Sequence, residues 1–208
     1  MALGQNLTDF RTTTASLVAH ITFAHQKYAS GAYKISRDLR EFISESAFLR
    51  IYIGWETFVE NSFVDYLLNE PSILNNRPAK WVNPIDKEHA HKIIIGNQRH
   101  MDWSNPEKIR TISKIFFHQG YIFNTSLSAI NNDLMDLKTI RNSAAHISST
   151  TTSKLDGLST RILGTASTNS TAYKLLFSND PRSAVANTNV LDRYLQILDV
   201  AAEEIANG

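Results

Sequence analysis

The chain has 208 residues, of which 42% are hydrophobic and 20% charged, and its 21 Lys and Arg against 20 Asp and Glu give a net charge of +1. This length and composition predict a soluble globular protein with one domain, residues 1–208. A charge this close to zero excludes a global attraction to nucleic acid, so any polyanion must bind at a local basic patch. The chain has no cysteine, which excludes disulfides, thiolate chemistry and Cys-based zinc sites and fits a reducing compartment.

The sequence predicts neither a secretory signal nor a membrane span. The first residues, MALGQNLTDFRTTT, contain no basic segment followed by an apolar run. No apolar stretch approaches the roughly 18 residues that a membrane-spanning helix needs. We therefore expect a cytoplasmic protein with no membrane partner.

Helical spacing of apolar residues predicts the first two helices. The first runs from Leu7 to about Ala29 and ends before Ser30-Gly31. The second runs from about Ser36 to Asn69, and Glu70-Pro71 ends it because the residue before proline is disfavoured in the helical region. Its apolar stripe consists of Phe48, Tyr52, Trp55, Val59, Phe63 and Tyr66.

Residues 70–105 are less regular, with prolines at three positions and one short predicted helix at 86–95 that stops at Gly96. A stronger start signal follows. Ser104 can cap a helix, Pro106 suits the first turn, and Glu107 stands three residues after the cap. This pattern predicts a helix to about His118.

The last part of the chain contains two further helical stripes. One begins near Ser126 and continues into residues 138–149, and the other runs from Asn189 to Ala206. Between them, residues 148–171 are rich in Ser and Thr, which predicts a surface loop, with a short helix at 155–163. The pattern as a whole predicts an all-α fold, a bundle of about five main helices.

The stretch KTIRNSAAHISS, residues 138–149, carries the strongest chemical signal. At about 100° per residue, Arg141 falls within the apolar arc of its helix, with Lys138, Asn142 and His146 beside it. On one straight helix Arg141 and His146 diverge by roughly 140°. Either the helix unwinds after Asn142, or a second copy of the chain completes the site. The small residues 143–145 would let a second helix approach closely.

These residue types suit the cleavage of RNA. An arginine can clamp a phosphate with two hydrogen bonds and stabilise the charge that develops in a phosphorane-like transition state. A histidine with a pKa near neutrality can remove or supply a proton. RNA carries its own nucleophile, the 2′-hydroxyl group, so these groups suffice without a metal ion.

An all-α chain with Arg141-Asn142-Ser143-Ala144-Ala145-His146 on a late helix resembles the HEPN superfamily of ribonucleases. Their signature is Arg, four to six residues, and His, often with Asn directly after the Arg. The stretch IYIGWETFVENSF, residues 51–63, is similar to the Trp-Glu helix of the HEPN branch that occurs in prokaryotic defence loci (the RiboL-PSP-HEPN-like branch). Only these two stretches are specific.

The resemblance implies a metal-independent endoribonuclease that acts as a homodimer and leaves a 2′,3′-cyclic phosphate. It implies that Arg141 and His146 are catalytic and that Asn142 supports them, with Glu56 orienting Arg141. Lys138, which lies beside these residues on the helix, is expected to have a supporting role. It also implies a toxin or effector of a defence or toxin–antitoxin system, with a cognate antitoxin or defence partner protein. No cofactor and no metal ion are expected.

Two other interpretations stay open at this point. Residues 141–146 could be a plain helix C-terminus, with His146 favoured by the helix dipole and Arg141 paired with a carboxylate such as Glu56. The chain could also be a non-catalytic helical module that binds RNA or another protein.

Other histidines and aromatic residues carry weaker signals. His89 and His91 diverge on a helix and have no third ligand nearby, so a solvated face is favoured over a metal site. The helical period of Trp55, Phe58 and Phe63 favours packing in the core or in a dimer seam over a platform for stacking RNA bases.

Overall fold

The computed structural model describes residues 1–146 and 148–208 and shows an all-α protein, as predicted. Nine α-helices form within these residues, with one 3-10 turn at His118–Gly120. They are α1 (Ala2–Ala24), α2 (Arg37–Leu67), α3 (Lys87–Ile95), α4 (Pro106–Phe116), α5 (Tyr121–Ala129), α6 (Asn131–Ala145), α7 (Ser149–Leu163), α8 (Ala172–Leu176) and α9 (Val190–Asn207). The described residues contain three isolated bridges and no strand.

The five predicted main helices are present, with shifted bounds. The stripe predicted for α2 is confirmed, since all six of its residues are buried. Likewise, Asp86 caps α3 by accepting a hydrogen bond from the backbone N–H of His89, and Gly96 ends that helix as expected. The helix predicted from Ser126 is divided into α5 and α6, because the backbone of Ile130 leaves the helical conformation between them.

The predicted cap of α4 is wrong by one residue. Asn105, and not Ser104, accepts a hydrogen bond from the backbone N–H of Lys108, and Pro106 takes the first helical position. The hydroxyl group of Ser104 instead donates to Asp102. Both residue types are good caps, so the preceding Asp102 decides between them by engaging the serine.

The short helix predicted at 155–163 is confirmed, but the loop predicted before it is wrong, because α7 already begins at Ser149 and continues to Leu163. Ser148 caps this helix through a reciprocal pair of bonds with Thr151. The helix then buries Leu155, Leu158 and Ile162, which recur at helical spacing. Burial of this apolar face outweighs the weak helix propensity of the Ser and Thr residues.

The chain divides into two compact units. The first contains Met1–Arg11, Trp55–Met135 and Ile197–Gly208, and the second contains Thr12–Gly54 and Asp136–Gln196. The expectation of a single domain stays a prediction. The predicted catalytic residues all belong to the second unit.

An aromatic cluster forms the core of the first unit. The ring of Phe63, which is fully buried, lies 4.9 Å from that of Phe123, 5.1 Å from that of Phe117 and 5.5 Å from that of Trp103. Each such side chain removes enough apolar surface from water to contribute about 1.5–3 kcal/mol. The hydroxyl group of Tyr66 donates to the carbonyl of Ile205 over 2.6 Å and thereby joins α2 to α9.

The second unit contains a buried charged network beside its apolar core. Asp136 of α6 accepts hydrogen bonds from Arg161 of α7 and from the hydroxyl group of Tyr194 of α9, the latter over 3.1 Å. Asp180 accepts bonds from Arg182, whose guanidinium lies 3.9 Å from Asp136. The network therefore fixes α6 against α7 and α9.

Candidate active site

The helix that carries the motif is regular through its last turn. α6 ends at Ala145, and the backbone N–H of His146 adds one more helical bond by donating to the carbonyl of Asn142 over 3.0 Å. The alternative that the helix unwinds after Asn142 is therefore wrong. Since a regular helix keeps Arg141 and His146 about 140° apart, one copy of α6 does not direct both side chains at one atom.

The predicted residues share one face of α6. At about 100° per residue, Arg141, Lys138, Asn142 and His146 lie within an arc of roughly 140°, and Ala145 lies inside that arc. Arg141, Lys138 and Asn142 are half-buried, whereas Ala145 and His146 are exposed. Of the three small residues in the motif, Ala145 is thus the one that presents an open position to a second helix.

Arg141 and Asn142 contact each other directly. The Nη1 of Arg141 donates to the Oδ1 of Asn142 over 3.2 Å. The amide oxygen orients the guanidinium and, being neutral, does not cancel its charge. An arginine oriented in this way suits the binding of an anion such as a phosphodiester.

The backbone of His146 is fixed from the side of α7 as well. The hydroxyl group of Thr151 donates to the carbonyl of His146 over 2.7 Å. Thr151 is also half of the capping box, since its backbone N–H donates to the hydroxyl oxygen of Ser148 over 3.2 Å. Sequence reasoning missed Ser148 and Thr151, because the usual capping box has Glu or Gln in place of Thr151. The Ser-x-x-Thr spacing of these two residues could have indicated the start of α7.

The weaker candidates lie in different units. Glu56 is half-buried on α2 and belongs to the first unit, whereas Lys138 and Arg141 belong to the second. The orienting role of Glu56 toward Arg141 stays a prediction. Lys138 stands one helical turn before Asn142, on the face described above.

A cleft of about 250 Å³ opens beside the motif within the second unit. Six of its eight lining residues have polar side chains, and the full set is Glu45, Ser143, Ala144, Thr152, Asn169, Ser170, Thr171 and Ala172. Ser143 and Ala144 point about 100° and 160° away from Asn142 around the axis of α6. The cleft and the Arg141–His146 face are therefore two different surfaces of the same helix.

Among the described residues that line this cleft, Glu45 is the one with an ionisable side chain. Burial raises the pKa of its carboxyl group, and a nearby Glu41 adds to the rise, while a hydrogen bond opposes them. That bond comes from the backbone N–H of Tyr173, over 2.9 Å. The position of Glu45 along α2 gave no signal in the sequence. Its carboxyl group is enclosed by residues 169–171, which precede α8 and are distant from Glu45 in the chain.

Two further predictions from the sequence concern the histidines of α3 and the aromatic residues of α2. His89 and His91 engage separate partners, since His89 accepts from the backbone of Ile85 and His91 lies 3.5 Å from Glu60. Among the described residues, no group of three or more His, Asp or Glu is placed to hold a metal ion. The core positions predicted for Trp55, Phe58 and Phe63 are confirmed, as each is at most 2% exposed.

None of the described helices combines the length and apolar character that a membrane crossing requires. Comparison of the chain with protein-family models, with curated proteins and with solved structures found no match in any of the three.

Proposed function

We propose that the protein is a metal-independent endoribonuclease of the HEPN type whose active site is completed by a second copy of the chain. The main observation in favour is the single face of α6 that presents Arg141, Asn142 and His146 around the small, exposed Ala145. Across a two-fold axis through this face, two arginines and two histidines would meet in one site.

The chemistry that these groups supply is transesterification within RNA. One His146 removes the proton from a 2′-hydroxyl group, whose oxygen attacks the adjacent phosphorus. The other His146 gives a proton to the 5′-oxygen as its bond to phosphorus breaks. Arg141, oriented by Asn142, stabilises the charge on the phosphoryl oxygens. The products are a 2′,3′-cyclic phosphate and a 5′-hydroxyl end.

The wider role that we propose is that of an effector or toxin in a prokaryotic defence or toxin–antitoxin system, held in check or triggered by a cognate protein. This part of the proposal is supported by the resemblance of residues 51–63 and 141–146 to HEPN proteins.

The test is RNA cleavage by purified single variants. Arg141→Ala and His146→Ala should each lower the cleavage rate by at least about 10²-fold, the usual effect of losing an acid–base or charge-stabilising group. The matched controls are His20→Ala and Arg50→Ala, because both side chains are exposed and lie in the same unit. Both controls should cleave at the parent rate, and EDTA should not stop the reaction.

Mixing the parent chain with an inactive variant tests whether the site is composite. A heterodimer of one parent chain and one His146→Ala chain retains only one of the two histidines that act as base and acid, so refolding the parent chain with an excess of His146→Ala chain should suppress its cleavage activity. Cleavage that survives both single changes, or that EDTA abolishes, would refute the mechanism. Binding of RNA without any cleavage would favour the non-catalytic module instead.

A further inference from the structure

The first unit presents an exposed pair of stacked aromatic rings that the proposed chemistry does not use. The centroids of the Trp81 and His118 rings lie 3.7 Å apart, with an angle of 28° between their planes. Trp81 is 64% exposed, whereas Trp55 and Trp103 are 1% and 8% exposed. One tryptophan of three thus leaves most of its indole in solvent, supported on one face by an imidazole.

The two rings are carried on a rigid frame. The backbone N–H of Trp81 donates to the carbonyl of Phe116, and that of His118 donates to the carbonyl of Ala79, each over 2.9 Å. Between these two bonds the ring of Phe117 is fully buried in the aromatic core of the unit. Because the stack is already ordered, a flat ligand that lies on it loses little conformational entropy in the protein.

The segments that hold the rings carry positive charge and no carboxylate. Residues 71–85 and 108–132 contain no Asp or Glu, although the whole chain contains 20 of them. Their cations are Arg77, Lys80, Lys108, Arg110 and Lys114. A local excess of positive charge along the chain is what a nearly neutral protein needs in order to bind a polyanion.

Lys114 is the best placed of these cations. Its side chain is exposed, and its Cγ would lie 3.1 Å from a Cβ on Gly120, so it runs beside the turn that carries His118. Lys80 is used differently, because its ammonium group donates inward to the carbonyl of Leu67. Lys114 is therefore an exposed cation beside the turn that carries His118.

We propose that the Trp81–His118 stack binds an unpaired base of single-stranded RNA, with Lys114 contacting a neighbouring phosphate. The exposed face of an indole accepts any nucleobase, and stacking of this kind needs no base-specific hydrogen bonds. The inference rests on the proposed function in that it takes RNA as the ligand. It assigns a binding site in a part of the chain that does not contain the cleavage residues.

The experiment uses the His146→Ala chain, so that the RNA stays intact, and a ten-nucleotide oligouridine. Stacking of a base quenches indole fluorescence, and Trp81 is the exposed tryptophan, so addition of RNA should quench the emission. Trp81→Ala should weaken binding, measured by anisotropy of a labelled oligonucleotide, by roughly 5- to 150-fold. Trp81→Phe should retain most of the affinity.

Two further variants separate stacking from charge and from general surface effects. Lys114→Gln should reduce the dependence of affinity on salt by about one phosphate contact. Ile85→Ala is the matched control, because Ile85 is an exposed apolar residue in the same segment without Asp or Glu. The Ile85→Ala variant should bind the oligonucleotide with the affinity of the parent chain. Circular dichroism of each variant verifies that it is folded.

The outcomes are distinguishable from those of the cleavage test. If the Ala variant of Trp81 is folded and binds RNA as tightly as its parent, or if no oligonucleotide quenches the indole, the stacking site is wrong, whether or not the protein cleaves RNA. Binding of aromatic peptides but not of RNA would also overturn it. Quenching and weakened binding in a protein that cleaves nothing would support the stacking site while refuting the nuclease.

Discussion

Two ion pairs of the same length in this protein should contribute very different amounts to stability. In one, the Oδ2 of Asp180 lies 2.6 Å from the Nη2 of Arg182, and the Asp180 side chain is 0% exposed. In the other, Glu88 and Lys92 on the surface of α3 are also 2.6 Å apart, with side chains 78% and 72% exposed. We predict that Asp180→Ala is strongly destabilising and that Glu88→Ala is nearly neutral.

The magnitude follows from burial and from what each removed carboxylate leaves behind. Removing one partner of a buried ion pair costs about 3–5 kcal/mol, because the other charge stays desolvated. The guanidinium of Arg182 is 26% exposed and lies 3.9 Å from Asp136. Partial hydration and this second carboxylate therefore place the expected loss near the lower limit, about 3 kcal/mol. An exposed helical pair such as Glu88–Lys92 contributes only about 0.3–0.5 kcal/mol.

The assay is urea-induced unfolding followed by circular dichroism, with free energies of unfolding compared at equal m-values. Its pH dependence adds a second check. Burial alone would raise the pKa of Asp180, but the hydrogen bonds and charge of Arg182, together with the charge of Arg193, outweigh it and lower that pKa below the ordinary 3.8. The stabilisation is thus present above pH 3.8 and is lost as the pH falls through the lowered pKa. A loss below about 1 kcal/mol at pH 7, or equal losses for the two variants, would refute the reasoning.

Two further predictions concern single positions. Glu45→Gln should raise the free energy of unfolding at pH 7, because burial raises the pKa of Glu45 and so disfavours its charged form in the folded protein. This gain in stability should vanish below pH 4.5, where the native carboxyl group is protonated in both the folded and the unfolded state. A gain that persists in acid would contradict the raised pKa of Glu45. Gly120→Ala should destabilise the protein by roughly 1–3 kcal/mol, because Gly120 has a φ of 81° and a Cβ there would lie 2.7 Å from that of Asn124. The matched change Gly157→Ala, at an open position in α7, should instead stabilise it by about 0.5–1 kcal/mol. Thermal or urea unfolding of the two Ala variants checks both signs, and a neutral Gly120→Ala would show that the turn can rearrange.

The long helices with strong apolar stripes were predictable from the sequence. α2 and α9 each repeat large apolar residues every three or four positions, and the predicted stripes are buried along their whole length. Such stripes are stabilised by burial of a whole face, so weak local preferences at single positions do not change the outcome.

Local competition between polar residues was not predictable in the same way. Asn105 caps α4 because Asp102 engages Ser104, and Ser148 starts α7 through a reciprocal bond with Thr151. Each result depends on hydrogen bonds that differ by a fraction of a kcal/mol between alternatives. Sequence patterns rank such alternatives poorly, which is why the start of α7 was predicted as loop.

For the candidate site, the sequence by itself determined which residues share a face, because the spacing of Lys138, Arg141, Asn142 and His146 on a helix requires it. It also determined that Arg141 and His146 diverge on one helix, so that the proposed site needs a second chain. Only the tertiary structure decided which groups are buried and which are open. Burial of Glu45 in its cleft and exposure of the Trp81–His118 rings both result from segments distant in sequence that pack together, and helical periodicity contains no information about such contacts.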